Sequence, residues 1–322
     1  MKQFKFYVGI DVSKLWLDIA IYQPSIGIIS RKQIANTAKE IRQFLKGVVA
    51  EQKSSQKDFL FCLENTGKYC HTFLKTSTLL QFKVWMELPI QIKRSQGLVR
   101  GKTDQLDAER IAEYAYRFQD KAVLWEPTDK TLLELKELQT KRSQLVKCHS
   151  QLGQENKKDP IFKKPLAALA KAIEQVEKKM ENLIMNDDRY KQQFELLKTV
   201  PGIGKQTAIA LILTTKGFTR LTESRKLSCY AGLAPFPYSS GSSVKGRTKI
   251  SKMGDMKLKA LLNLSAWNAI RAIPALKEYY QRKVSEGKHK LSAINAVRNK
   301  LIAMALAVVK RNTPFVKEFS FA

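Results

Sequence analysis

"YVGIDVSKLWLDIAIYQ" spans Tyr7 to Gln23 and decides how the first third of the chain folds. Phe4, Phe6 and Val8 alternate with Lys5 and Tyr7, and Leu17, Ile19 and Ile21 alternate with Asp18, Ala20 and Tyr22. Period-two alternation marks strands, so the stretch reads as two strands joined by the short segment from Asp11 to Lys14. Asp11 therefore closes an apolar strand. A turn aspartate commonly does no more than bond nearby backbone, and the rest of the chain has to decide whether this one does chemistry.

Outward from the hairpin, strands and helices alternate. "GIISRKQIAN" reads as a third strand, and "TAKEIRQFLKGVVAEQ" as a helix with Ile41, Phe44, Leu45 and Val48 on one face. "DFLFCLEN" is a short buried strand, "TGKYCHTFLKTSTLLQ" a helix, "FKVWMELP" another strand and "DQLDAERIAEYAYRF" a strong helix. A meander followed by strand–helix alternation predicts a mixed sheet with helices packed on it. That order resembles the ribonuclease-H-like fold.

The pattern changes from about residue 130. Leu135, Leu138, Leu145 and Leu152 keep heptad spacing, interrupted by Arg142 and His149. After "NKKDPIFKKP", Leu166, Leu169, Ile173, Val176, Met180 and Leu183 repeat as a coiled coil does. Two such helices predict an antiparallel hairpin, a dimerisation arm or ordinary core packing. The remainder reads as helical, with helices near 256–273 and 290–310 and a basic Gly-Ser-rich interruption read as a solvated loop. The expected division is an α/β domain over 1–125, a coiled-coil-like linker over 126–193 and a mainly helical domain over 194–322.

Composition narrows the partners. The 322 residues hold 57 Lys plus Arg against 29 Asp plus Glu, a formal net charge of +28. Self-repulsion on that scale points to a polyanion, and nucleic acid fits best. No stretch approaches 18 uncharged apolar residues, so no membrane partner is expected. The first residues lack a signal core, which reads as a cytoplasmic protein, associated with the nucleoid. The two Cys-His dipeptides, Cys70-His71 and Cys148-His149, bring no further ligand cluster, which argues against zinc. Three histidines in all leave little room for histidine chemistry. Any metal should be a hard ion bound by carboxylate oxygen.

Four acids meet that requirement. Glu64 closes "FLFCLEN" as Asp11 closes its own strand, and Asp104 and Asp107 share one face at the start of a helix. A helix start favours acids in any case, so capping by Asp104 is the plain alternative. Four such acids in an acid-poor chain match phosphodiester chemistry, in which a pair of Mg²⁺ ions is balanced by carboxylates. "GIDVSK", "CLENTG", "RGKTDQLDAERIAEYA", "TVPGIGKQTA", "YAGLAPFPYSSG" and "TKISKMGDMKLKALL", in this order, resemble the DEDD-type insertion-sequence transposases, relatives of the pilin-gene DNA invertases. The resemblance runs from about residue 7 to about 275. It implies an amino-terminal domain similar to the Holliday-junction resolvase RuvC, with Asp11, Glu64, Asp104 and Asp107 as metal ligands. Asp18 and Glu109 read as bystanders.

"VPGIGKQTA" is similar to a helix-hairpin-helix turn, in which Gly202 and Gly204 let backbone N–H groups approach a phosphate and Lys205 adds charge. "YSSGSSVKGRTKISKMG" sets serines beside Lys245, Arg247, Lys249 and Lys252. The resemblance places a nucleophilic serine immediately before the glycine, at Ser240, with Ser239 as the alternative. It further implies a covalent 5′-phosphoserine intermediate, strand exchange, and a site with acids from one subunit and serine from another, hence a dimer or tetramer. A structured non-coding guide RNA that selects donor and target DNA also follows from it. Two rival readings use the same residues: a RuvC-like junction-resolving endonuclease with water as nucleophile, and a non-catalytic nucleic-acid-binding protein.

Overall fold

The computed structural model describes residues 4–97, 103–156, 159–240, 244–250 and 253–316. They form two compact units, divided after Pro127.

The first unit is built on a five-stranded mixed sheet. β1 (Phe6–Val12), β2 (Trp16–Gln23) and β3 (Gly27–Ala35) form the antiparallel meander. β4 (Phe59–Glu64) and β5 (Lys83–Glu87) continue the sheet in parallel on the other side of β1. The strand order is β3-β2-β1-β4-β5. α1 (Ala38–Glu51) and α2 (His71–Leu79) cover one face, where Ile41, Leu45 and Phe73 pack on Val8, Ile10, Ile19 and Phe61. α3 (Pro89–Ser95) and α4 (Asp104–Arg117) cover the other, where Ile92, Ile111 and Tyr114 pack on Tyr7, Leu60, Cys62 and Trp85. Both faces of β1 are buried, so Tyr7 lies in the core, although alternation alone would put one face in water.

Helices dominate the second unit. α5 (Lys130–Asn156) and α6 (Pro160–Met185) pair as an antiparallel hairpin: Arg142 Nε donates to Glu177 Oε1 at 2.6 Å, and Gly153 faces Leu166 in the same register. Leu132 and Leu135 at one end, with Met180 and Ile184 opposite, enter the core of this unit. That anchoring places the heptad segment in the second unit.

α7 (Asp188–Thr199), α8 (Lys205–Thr214) and α9 (Ser224–Tyr230) follow. The segment expected as a loop instead forms an antiparallel ribbon of β6 (Pro235–Ser240) and β7 (Val244–Ile250). α10 (Met256–Ala272), α11 (Pro274–Ser285) and α12 (Lys290–Arg311) complete the unit. α12 is long and apolar enough to cross a membrane, yet 61% of its most apolar window is buried, with Ile294, Val297, Leu301 and Ala305 in the core.

Candidate active site

Two supports carry the four expected acids. β1 and β4 run parallel with Ile10 opposite Leu63, so Asp11 and Glu64 come next at the same carboxyl edge of the sheet. Asp104 and Asp107 lie in the first turn of α4. The cap of that helix is Thr103, whose Oγ1 accepts from the Leu106 N–H at 3.2 Å. The capping side chain is therefore Thr103, and Asp104 stands in the first turn, where the helix dipole favours an acid.

Small residues bring the helix onto the sheet. A Cβ on Gly9 would lie 2.1 Å from the Ala108 carbonyl oxygen and 2.3 Å from the Ala112 nitrogen, so only glycine fits between β1 and α4. Ala20 completes this contact with Ala108 and Ala112. Further back along β1, the Tyr7 ring lies 5.3 Å from Tyr116 and its hydroxyl donates to Gln119 Oε1 at 2.7 Å. α4 thus runs antiparallel to β1, and its amino-terminal turn lies over the end of β1, where Asp11 stands.

The electrostatics record that convergence. The Asp11 carboxyl is raised to about 6, first by burial, then by the charges of Asp104, Glu64, Asp107 and Asp18. Arg110 holds Asp107 at 2.8 Å. Among the described residues no three acid, thiol or imidazole groups stand together in a metal-holding arrangement. The donor set is nonetheless all oxygen, and its crowding is of the kind a hard divalent cation relieves; Asp11, Glu64, Asp104 and Asp107 are the groups that could hold one.

In the second unit, the turn between α7 and α8 contains Gly202 at φ +95°, where a Cβ would meet the Ser265 carbonyl oxygen at 2.4 Å. Gly202 therefore serves close packing against α10. Gly204 is the N-cap of α8 and has open space around it. Lys205 is paired to Glu181 at 2.8 Å. These residues border a cavity of about 550 Å³ that Arg142, Glu177 and Gln206 also line. Ser240 ends β6 with Val244 as its register partner, and Ser239 is opposite Lys245. Lys245, Arg247 and Lys249 occupy every second position of β7. Lys252 lies outside the described residues.

Residues 8–158 match the DEDD transposase family of IS110, and residues 194–281 match the transposase family described as IS116/IS110/IS902. The chain belongs to the IS110 family of transposases. As a member it is a DNA-cleaving, metal-dependent enzyme. The pilin gene-inverting protein of Moraxella bovis is 26% identical over 97% of this chain and 98% of that protein. The transposase of insertion sequence IS1328 from Yersinia enterocolitica is 30% identical over 46% of this chain and 44% of its own length. Among solved structures, RuvC of T. thermophilus in complex with a Holliday junction covers 37% of this chain and 98% of its own, at 12% identity and a TM-score of 0.28.

In this transposase two further acids line up with Asp11 and Glu64 across the sheet. Asp18 is the direct cross-strand partner of Asp11, is only 8% exposed and accepts from Gln33 Nε2 at 3.0 Å. Glu87 is the register partner of Glu64; its Oε2 accepts from the Tyr114 hydroxyl at 3.2 Å and its Oε1 from the Leu88 N–H at 2.7 Å. Burial, and then the Glu87 charge, push the Tyr114 phenol up. Asp18, Asp11, Glu64 and Glu87 thus form one row across four adjacent strands. The signal for Glu87 was present: it closes "KVWME" as Glu64 closes "FLFCLE". Glu109, read from the sequence as a bystander, is paired with Arg31 Nε at 2.6 Å.

Proposed function

We propose that the transposase cuts and rejoins DNA strands at the carboxyl edge of β1 and β4, with Asp11, Glu64, Asp104 and Asp107 holding Mg²⁺. The observation that supports this most is the raised Asp11 carboxyl, crowded by the other three acids. Bound there as a pair, Mg²⁺ supplies Lewis-acid stabilisation of the charge that develops on the phosphate oxygens. The chain's part is to fix the carboxylates: Gly9 seats α4, and Arg110 orients Asp107.

Ser240 is the nucleophile in this reading. Its Oγ forms a bond to phosphorus as the bond to the 3′ oxygen breaks, and the serine proton leaves while the 3′ oxygen gains one. The phosphoserine ester keeps the phosphodiester's energy, so a second 3′ end can be joined. Lys245, Arg247, Lys249 and Lys252 hold nearby phosphates, and Gly202, Gly204 and Lys205 present the start of α8 to the DNA backbone. A non-coding guide RNA from the element selects the DNA, the active form is a dimer or tetramer, and the reaction takes place at the nucleoid in the cytoplasm. The resemblance to the DEDD transposases and the net charge of +28 support these points.

A RuvC-like mechanism is the second reading, because all four acids lie in the first unit and none needs a serine. Supercoiled DNA carrying the element ends, incubated with Mg²⁺, separates the two. The wild type should give a covalent protein–DNA adduct, and Ser240→Ala should bind DNA without forming one. Ser239→Ala should retain the adduct. Free cleaved ends from Ser240→Ala would establish water as nucleophile. Binding without scission by the wild type would leave a non-catalytic protein.

A further inference from the structure

A rigid hairpin tip stands beside the carboxylates. Ser13 and Trp16 close it: the Ser13 N–H and Oγ both donate to the Trp16 carbonyl, at 3.0 and 2.8 Å, and the Trp16 N–H donates to Ser13 Oγ at 3.0 Å. Asn36 straps the tip from the end of β3. Its Nδ2 donates to the Ser13 carbonyl at 3.0 Å and its N–H to the Leu15 carbonyl at 2.8 Å. On this fixed support Leu15 is 65% exposed and Trp16 48% exposed, with exposed Lys14 beside them.

The indole faces the acids' side of the sheet. Side chains alternate along β2, so Trp16, Asp18 and Ala20 share a face, and Ala20 packs under α4. Trp16 is one alternation, about 7 Å of strand, beyond Asp18. DNA advances about 3.4 Å per nucleotide along a strand, so a base one or two nucleotides from a phosphate at the acids comes within reach of the indole. Bases inside a duplex are stacked on both faces. An unpaired base offers a free face, and aromatic side chains take such bases with little regard to sequence.

We propose that Trp16, flanked by Leu15 and Lys14, is a stacking platform for an unpaired nucleobase one or two nucleotides from the phosphate at the carboxylates. The site then prefers opened DNA to intact duplex. This rests on the carboxylate edge being the cleavage site, a point tested separately by strand scission with Asp104→Ala.

The platform is tested by binding of the full-length protein, in EDTA, to oligo(dT) and to a duplex of equal length. The wild type should prefer oligo(dT), and Trp16→Ala should lose about tenfold of that affinity, the usual effect of removing one stacked aromatic, with duplex affinity unchanged. Trp16→Phe should keep most of the preference. Tryptophan quenching by oligo(dT) should disappear in Trp16→Phe, since the indole that stacks is gone. Equal oligo(dT) affinity for Trp16→Ala and wild type overturns the platform. So does a Trp16→Phe protein that is quenched as fully as wild type, a readout that stands even where Trp16→Ala fails to fold. A change of oligomer mass in Trp16→Ala with DNA affinity intact also overturns it, and assigns the tip to a contact between copies.

Discussion

Gly9 and Asp11 show what single residues decide here. Gly9 lets the α4 backbone touch β1, so Gly9→Ala must lift the helix away from the sheet. Overpacking of this kind costs about 1–3 kcal/mol, and the melting temperature should fall accordingly; a variant that melts with the wild type would show that α4 is not seated by this contact. Asp11 adds a charge cost. Its carboxyl titrates at about 6 when folded against 3.8 for an ordinary aspartate, so protonation favours the folded state. That contribution is complete below pH 4 and is lost as the pH rises through 6. Raising the carboxyl that far is worth about 3 kcal/mol at most, and solvent screening of this half-buried group reduces it to about 1–2 kcal/mol. Asp11→Asn should therefore be more stable than the wild type in EDTA at pH 7.5 by about that amount, with the difference vanishing near pH 4. Denaturant titrations across pH measure it, and a pH-independent difference would mean the acids do not crowd Asp11. Asp11 and Glu64 were legible because each closes an apolar strand. The pairing of Asp18 with Asp11 was not, because it depends on the register between β1 and β2, which residue types do not disclose.

The α5–α6 hairpin is the element whose sequence signal left most open. Its heptads announced apolar seams, but a seam does not name its partner. The structure pairs α5 with α6 and buries the seam fully only where Leu135, Met180 and Ile184 meet the core; Leu145, Leu166, Leu169 and Ile173 stay half-buried. A seam left half-covered supports the proposed association of subunits. Ile173→Glu should leave the fold intact, since the anchored end is untouched, and should reduce the oligomer mass in light scattering. Unchanged mass with a folded chain would confine the seam to the hairpin. The β6–β7 ribbon was missed for a different reason. "PYSSGSSVKGRTKI" lacks an apolar face, and without one the alternation that marks a strand is invisible. α11 was also passed over, although proline in the first turn, here Pro274, is compatible with a helix.

At the scale of the whole molecule, the order of elements in the first unit was readable because each strand and helix carries its own periodicity. The division into two units was not, since it depends on which core Leu132 and Leu135 join. The excess of cations predicts how DNA binding responds to salt. Neutralising six to ten phosphates should weaken binding about 10³–10⁵-fold between roughly 50 and 200 mM salt, as fluorescence polarisation would measure; an affinity insensitive to salt would remove the polyanion argument. The central claim is that the carboxylates at the sheet edge carry the DNA-cutting chemistry, and Glu64→Gln tests it most directly. It keeps the side chain's shape and removes only the charge. Strand scission of element-end DNA by this variant, at saturating Mg²⁺ and with DNA binding verified, should be undetectable. Scission at the wild-type rate would contradict the account.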